Sequence, residues 1–494
     1  MVREFHDRLS GLDRSFLVLE GPNTHMHIAA ALILEAQPLL TADGSVDIDR
    51  IRRYIGTRLH LLPRYRQRLE SGPIDGHPIW VDDEHFNLDY HVRHTSLPRP
   101  GDDRQLKRLV ARIMSQQLDR AKPLWETWVV EGVQGGRVAL ITKTHHCMID
   151  GVAGVDLLTL LMSPERECGI QAAPAFVPRP APSGSSAIVA DLLRRASVPL
   201  TLGRDLARAL LSPTSLRDEL AERIRGVTDT LAVGLRGTSA TPLNQPIGPH
   251  RRFDWVTMDL DDVRAVKRKL GGTLNDLVLA IVAGAARRFL QHRRVELDGL
   301  EFRVMTPVSV RQSDAASAVG NQISMWLVDL PLAEADPVAR LAAISRRTAE
   351  LVERKNALGA QVLAAGMEFT GATLLSRGMQ MIARAQPFNL VVTNVPGPQV
   401  PLYLLGSQIE ACFPVVPLWE NQGLGIALFS YAGQLYWGFN ADWDLLPDIS
   451  SFVDAIVASF NELREAGLVL PDPEREEPAQ AAELRALEPP PANA

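Results

Sequence analysis

The chain has 494 residues, more than one hydrophobic core usually organises, so two large domains are predicted. Its hydrophobic content of 46% and charged content of 22% are those of an ordinary globular protein. The formal net charge of −6 argues against nucleic acid as the main partner. Three cysteines far apart in the chain predict a reducing compartment and no disulfide framework.

The start of the chain is charged and has no apolar signal core. No uninterrupted apolar run approaches the roughly 20 residues that a transmembrane helix needs. We therefore expect a cytoplasmic protein without a membrane-spanning helix.

The region before residue 125 alternates short strands and helices. A turn at Gly21-Pro22 precedes its first predicted strand, in which His25 and His27 share one face. Such a pair could bind a metal, although packing is the commoner role. The predicted elements are a strand at 25–34, helices at 47–61 and 102–118, and extended segments at 78–80 and 86–93.

A hairpin leads to the most distinctive motif of the chain. Strands are predicted at 125–130 and 137–144, joined across Gly135-Gly136. The second strand runs into His145-His146-Cys147-Met148-Ile149-Asp150-Gly151, and apolar residues at helical spacing follow over 152–162. Two histidines therefore stand where a strand ends and an Asp-Gly turn reverses the chain.

This arrangement suits a general base, because imidazole has the unperturbed pKa nearest neutrality and a strand end holds it rigidly. A purely structural histidine pair is an equal alternative on these residues alone. A metal site is disfavoured, since adjacent histidines on a strand point to opposite faces. Only Cys147 and Asp150 lie nearby as further ligands, and we predict no metal.

Composition changes after Pro164. Prolines, alanines, serines and glycines at 172–186 predict a linker. Residues 187–236 form an arginine-rich amphipathic region. Packing of these helices on the body of the protein is one interpretation, and binding to an anionic membrane surface is the other.

A second domain is predicted from residue 251. Thr273 and Asp276 resemble a capping box before a helix that is apolar nearly all round, and Pro337 suits a first helical turn. The remaining predictions are strands at 253–260, 302–310, 321–330, 388–394, 409–416, 425–431 and 434–440, and helices at 262–270 and 449–463. The resulting division is an N-terminal domain at 1–165, a linker with amphipathic helices at 166–250, a C-terminal domain at 251–470 and a disordered tail at 471–494.

Motifs spread over nearly the whole chain resemble the bacterial wax ester synthase/diacylglycerol acyltransferases, which share a chloramphenicol-acetyltransferase-like fold. The histidine signature also occurs in condensation domains and plant acyltransferases, so the combination of motifs carries the resemblance. The motifs are LSGLD at 9–13 with Phe16, PLW at 123–125, HHxxxDG at 145–151, ND at 275–276, PVSVR at 307–311 with Gly320-Asn321, and NVPGP at 394–398.

The resemblance implies an α/β protein with two chloramphenicol-acetyltransferase-like domains, each a mixed sheet flanked by helices. An active-site tunnel would lie at the domain interface. Acyl-CoA would be the co-substrate with no bound cofactor, and diacylglycerol or a long-chain alcohol the acceptor. A peripheral place on the inner face of the cell membrane or on lipid droplets would suit that acceptor.

The resemblance also implies residue roles. His146 would remove the proton of the acceptor hydroxyl, His145 would support it, and Asp150 would hold the loop. Asn275 and Asn394 are candidates for the oxyanion contact, and Arg311 fits a buried ion pair as well as a substrate contact. The expected site comprises His146, His145, Asp150 and Gly151 for catalysis, with Asn275, Asp276, Pro307, Ser309, Arg311, Asn321, Asn394 and Gly397 for substrate or oxyanion binding.

Two alternatives remain at the level of sequence. The chain could be an acyltransferase for an amine or a polyketide-type hydroxyl, as in condensation-like relatives. It could also be a non-catalytic lipid-binding or droplet-coating protein, although such a protein would not need the histidine signature.

Overall fold

The computed structural model describes residues 7–72, 76–148, 161–167, 169–180, 237–309, 323–353 and 386–469. The helices are α1 (Gly11–Leu19), α2 (Ile48–Arg58), α3 (Leu88–His91), α4 (Asp103–Met114), α5 (Leu260–Leu270), α6 (Leu274–His292), α7 (Pro337–Glu353) and α8 (Ile449–Val469). The strands are β1 (His27–Glu35), β2 (Gln67–Ser71), β3 (Pro78–Asp82), β4 (Val92–Ser96), β5 (Trp125–Val133), β6 (Arg137–His145), β7 (Arg251–Asp259), β8 (Phe302–Ser309), β9 (Ile323–Leu330), β10 (Leu390–Pro396), β11 (Tyr403–Leu404), β12 (Ser407–Val415), β13 (Leu424–Tyr431) and β14 (Gln434–Asp442).

Two mixed six-stranded sheets form the body of the protein. The first has the order β11-β12-β1-β6-β5-β4, and the second has the order β7-β14-β13-β10-β8-β9. In the first sheet only β4 and β5 pair in parallel, and in the second β10 runs parallel to both β13 and β8. The predicted α/β class with two mixed sheets flanked by helices is confirmed. β2 and β3 form a separate antiparallel pair.

The buried helix α6 covers the second sheet, as its apolar sequence predicted. α6 is apolar nearly all round and packs against α7 and α8, so most of its side chains have no accessible surface. Its start is fixed by the predicted capping box, in which Thr273 and Asp276 each accept a hydrogen bond from the backbone N–H of the other. Local polar chemistry thus sets where this core helix begins.

A strand from the second half of the chain crosses into the first sheet. β12 comes from the second half but pairs antiparallel with β1 in the first sheet. At the contact between the sheets, a Cβ on Gly438 of β14 would lie 1.8 Å from the carbonyl oxygen of Pro414 in β12. Trp255 stacks on Phe413 there, with ring centroids 4.4 Å apart. Only glycine permits such a close approach of two backbones at residue 438.

Most predicted elements are confirmed, but one prediction was wrong and some elements were not predicted. The extended segment at 86–93 was wrong, because Asn87 caps the single helical turn α3 and β4 begins only at Val92. Helix α1 and the short strands β2 and β11 were not predicted at all. All of the predicted helix at 152–162 except Leu161 and Met162, the whole amphipathic region 187–236 and the tail at 471–494 lie outside the described residues.

The domain bounds remain predictions. β7 is the first strand of the second sheet and begins at Arg251. Of the linker at 166–250, the structure describes 166–167, 169–180 and 237–250.

Among the described residues, no single helix has both the length and the apolar character of a membrane span, and only α5 and α6, bent by 95° relative to each other, meet the two criteria as a pair.

Candidate active site

The histidine pair lies where β6 gives way to a short 3₁₀ turn. β6 ends at His145, and residues His146–Met148 form the turn. The backbone N–H of His146 donates to the carbonyl of Met26 at 2.8 Å, which ties the turn to the segment before β1. The backbone N–H of Cys147 donates to Nδ1 of His145 at 3.1 Å. Because the strand ends between the two histidines, they occupy different surroundings.

His146 lies against an aromatic ring from α1. Phe16 stacks on it with centroids 3.9 Å apart and an interplanar angle of 20°. Nδ1 of His146 is buried and has no hydrogen-bond partner of regular geometry among the described residues. Burial lowers the pKa of His146 to about 4, against a smaller opposing effect of its own backbone. The ring is therefore neutral at pH 7, the state that a general base requires.

Helix α1 is built to pack on this turn. Ser10 is its N-cap, and its hydroxyl oxygen accepts from the backbone N–H of Asp13 at 3.1 Å. The helix that follows contacts the His146–Met148 turn. The LSGLD segment of the sequence thus forms the start of a helix that supports the histidine turn.

His145 belongs to a buried cluster centred on Glu20, the C-cap residue of α1. Nε2 of His145 lies 3.6 Å from Oε2 of Glu20, and Nε2 of His27 lies 3.3 Å from Oε1. His27 and His145 are direct partners across β1 and β6. Arg120 donates from Nε to Oε2 of Glu20 at 2.9 Å. The cluster joins a helix, two strands and a loop.

The charges in this cluster are defined by its geometry. Burial raises the pKa of Glu20, but its interactions with His145, His27 and Arg120 outweigh burial and hold that pKa well below its usual range. Burial lowers the pKa of His27 to about 3, although Glu20 opposes this. At neutral pH the cluster thus contains one carboxylate, one guanidinium and a neutral His27.

Glu20, His27 and His145 also have the spacing of a metal site, with one ligand atom from each within 4.8 Å of the others. Metal binding through Nε2 of His145 would require its ring proton on Nδ1. That nitrogen instead accepts the N–H of Cys147. The hydrogen bond favours a proton on Nε2, facing Glu20, so the donor set of His145 does not fit a metal.

The ND motif lies at the start of α6. Asp276 uses both carboxylate oxygens within the fold, since Oδ2 accepts from the N–H of Thr273 and Oδ1 from the hydroxyl of Thr348. Asn275 occupies the first turn of the same helix. Neither residue makes a described hydrogen bond to His146, so their roles in substrate binding stay predictions.

The NVPGP motif lies at the end of β10, which runs through Pro396 and not only to Asn394. A Cβ on Gly397 would lie 2.3 Å from the ring of Phe429 and 2.5 Å from the carbonyl oxygen of Ser430, so this position needs glycine. Its N–H donates to that same carbonyl at 2.9 Å. Asn394 is partly buried and makes no described contact with His146.

The remaining predicted site residues divide into two groups. Pro307 lies on β8 opposite Met325, and Ser309 is the last residue of that strand. The others, Asp150, Gly151, Arg311 and Asn321, lie outside the described residues.

Sequence reasoning did not select three residues of the cluster. Glu20, His27 and Arg120 come from separate segments, and only His27 had been considered, as half of a metal pair. The signal for α1 was Ser10 followed by Asp13 and by Phe16, the spacing of a capped amphipathic helix. Recognition of that helix would have placed Glu20 at its end, close to the histidine turn.

The two-sheet architecture is shared with condensation domains. The starter condensation domain of rhizomide synthetase, solved as a double mutant with C8-CoA and Leu-SNAC, aligns with a TM-score of 0.57 at 11% identity, covering 95% of this chain and 96% of that one. At that identity the similarity establishes the fold alone.

The family follows from closer similarities. The model of the wax ester synthase/diacylglycerol acyltransferase catalytic domain matches residues 9–278, and the model of the C-terminal domain of that family matches residues 319–464. The chain belongs to the wax ester synthase/diacylglycerol acyltransferase family and is an acyltransferase.

Individual relatives agree with this assignment. The probable diacylglycerol O-acyltransferase tgs1 of Mycobacterium tuberculosis strain H37Rv is 33% identical over 456 residues, which is 91% of this chain and 94% of the relative. The wax ester synthase/diacylglycerol acyltransferase from Marinobacter aquaeolei VT8 has a TM-score of 0.66 at 25% identity, covering 94% of this chain and all of that structure.

Proposed function

We propose that the protein transfers a long-chain acyl group from acyl-CoA to the hydroxyl of diacylglycerol, with His146 as the general base. Long-chain alcohols are further acceptors, which would give wax esters. The observation that carries the proposal is the neutral, half-buried imidazole at the end of β6, which stacks on Phe16 and whose pKa is lowered to about 4. The family supplies the acyl-transfer reaction that such a base serves.

The chemistry requires only one base and an oxyanion contact. Nε2 of His146 takes the hydroxyl proton while the alcohol oxygen attacks the thioester carbonyl. The tetrahedral oxyanion collapses, the carbon–sulfur bond breaks, and the CoA thiolate recovers the proton from the imidazolium. Thiolate is a good leaving group, so no covalent enzyme intermediate is needed. Asn275 and Asn394 are the candidates for stabilising the oxyanion, a contact worth roughly 10²–10³-fold in rate.

The low solubility of the proposed acceptors bears on where in the cell the enzyme works. Diacylglycerol and fatty alcohols dissolve poorly in water, so the enzyme would meet them at a lipid surface. We therefore propose a cytoplasmic protein with a peripheral position on the inner face of the cell membrane or on lipid droplets.

The test is CoA release from palmitoyl-CoA with diacylglycerol, hexadecanol or no acceptor. His146→Ala should lower acceptor-dependent release by about 10²–10⁴-fold, because general-base catalysis contributes that much. His60→Ala is the matched control, since this histidine is exposed and, among the described residues, its hydrogen bond is to the carbonyl of Thr57. A folded His146→Ala protein with normal turnover would refute the mechanism.

The acceptor series separates the alternatives. Greater release with diacylglycerol than with hexadecanol supports triacylglycerol synthesis, and the reverse order identifies a wax ester synthase. Tight palmitoyl-CoA binding without turnover on any acceptor would contradict the proposed acceptors and favour an amine or polyketide-type acceptor.

A further inference from the structure

Glu20 is a buried carboxylate that the proposed reaction does not use. Its side chain has no accessible surface, although it ends a helix close to the protein surface. Burying an ionised carboxylate is costly unless partners compensate. Here the compensation comes from Arg120, whose side chain is 46% exposed, and from two histidines that face each other across β1 and β6.

The orientation of His145 follows from its two ring nitrogens. Nδ1 accepts the N–H of Cys147, so the ring carries its proton on Nε2. Nε2 faces Oε2 of Glu20 at 3.6 Å, and Nε2 of His27 faces Oε1 at 3.3 Å. Neither contact has regular hydrogen-bond geometry, so both rings face the carboxylate at ion-pair distance.

The same helix also holds His146. Phe16 lies in the last turn of α1, and Glu20, four residues later, is the C-cap of that helix. Side chains at a spacing of four lie on the same helix face. Phe16 stacks on the His146 ring, whereas Glu20 faces the His145 ring. His145 in turn binds the backbone N–H of Cys147, the residue after His146. Helix α1 thus contacts the histidine turn both through the proposed base and through its neighbour.

We propose that Glu20 is a positioning residue for acyl transfer, which fixes the orientation of His146 by holding His145 and His27. This inference rests on the proposed role of His146. Glu20 does not touch the reacting atoms. The negative charge of Glu20 also raises the pKa values of His25, Lys143 and Cys147, in each case beside other effects.

The test compares Glu20→Gln with Glu35→Gln. Both residues are carboxylates paired with an arginine, but Glu35 lies at the far end of β1 and pairs with Arg166 at the surface. Glu20→Gln should lower kcat by about 10²-fold, the cost of a small misplacement of a reacting group. The KM for acyl-CoA should stay unchanged, because ground-state binding is not altered. Glu35→Gln should behave as the wild type in both.

A double-mutant cycle separates positioning from general destabilisation. If Glu20 acts through His145, the double variant Glu20→Gln/His145→Gln should be no slower than the slower single variant. Independent structural damage would instead multiply the two losses, and that result would overturn the proposal. Thermal unfolding of each variant accompanies the kinetics.

If Glu20→Gln does not fold, the Arg120→Gln variant tests the same positioning role. The guanidinium of Arg120 is partly exposed, so its replacement leaves no cavity in the core. Its kcat should fall with KM unchanged. A normal kcat in a folded Glu20→Gln or Arg120→Gln protein overturns the positioning role while His146→Ala remains inactive. An active His146→Ala protein instead refutes the proposed function itself.

Discussion

His146 is a base that its surroundings keep uncharged. An exposed histidine titrates near pH 6.5 and would be partly protonated in mildly acidic conditions. Burial disfavours the imidazolium, and the neighbouring His145 adds a smaller effect in the same direction, which lowers the pKa of His146 to about 4. The ring therefore gives up some basicity but is present in its active neutral form across the physiological range.

The pH dependence of kcat/KM should reflect this shift. Because the base works when deprotonated, activity should fall as pH decreases through the His146 pKa, with half of the maximum near pH 4 and not near 6.5. The measurement is kcat/KM from pH 4 to 9 with palmitoyl-CoA and diacylglycerol. Circular dichroism at each pH serves as the control for folding. A half-maximum at or above pH 6.5 would show that water reaches His146 freely.

Among the elements, α6 shows how a polar motif can serve the fold. Asp276 is part of the ND motif, yet its two oxygens bind Thr273 and Thr348. The cap satisfies backbone N–H groups that have no partner within the helix at the start of α6. The position of Asn275 on the first turn depends on that cap.

Loss of this cap should affect stability more than substrate binding. Thr273→Ala should reduce the free energy of unfolding by about 1 kcal/mol, the usual value of a cap, and leave KM unchanged. Asp102→Ala removes the side chain of the equivalent box at α4 and should cost a similar amount. Urea unfolding and steady-state kinetics measure both quantities. A raised KM with unaltered stability would instead assign the α6 cap to the substrate site.

At the scale of the whole molecule, the crossing strand β12 joins the two halves. It pairs with β1, the strand that carries His27 and pairs in turn with β6. The second half of the chain is thereby built into the sheet that ends at the histidine turn. Packing of β12 against β14 depends on the absence of a side chain at Gly438.

Gly438→Ala should therefore destabilise the whole protein. Its Cβ would meet the Pro414 carbonyl oxygen at 1.8 Å, and a backbone atom cannot move aside without shifting a strand. We expect a loss of about 1–3 kcal/mol or more, typical of overpacking, with reduced activity. Gly169→Ala, which has open space around it, should be neutral. A Gly438→Ala protein with the wild-type urea midpoint would contradict this account of the sheet contact.

The sequence by itself determined the elements and the family. The β5–β6 hairpin, the buried α6 and its cap were all predictable, because alternation, helical spacing and capping act between residues close in the chain. The HHxxxDG signature, combined with the other motifs along the chain, identified the acyltransferase family. The wrong prediction at 86–93 and the unpredicted α1, β2 and β11 show where local patterns were too short to decide.

Only the tertiary structure decided what surrounds the histidines. Glu20, His27, Arg120 and His145 are distant in sequence, and no local pattern links a helix C-cap to the ends of two strands. The pKa of His146 depends on burial, which is a property of the packed molecule. The placement of β12 in the first sheet likewise depends on long-range pairing. Short-range preferences specify which residues form each element, whereas desolvation and contacts between distant segments determine the state of the site.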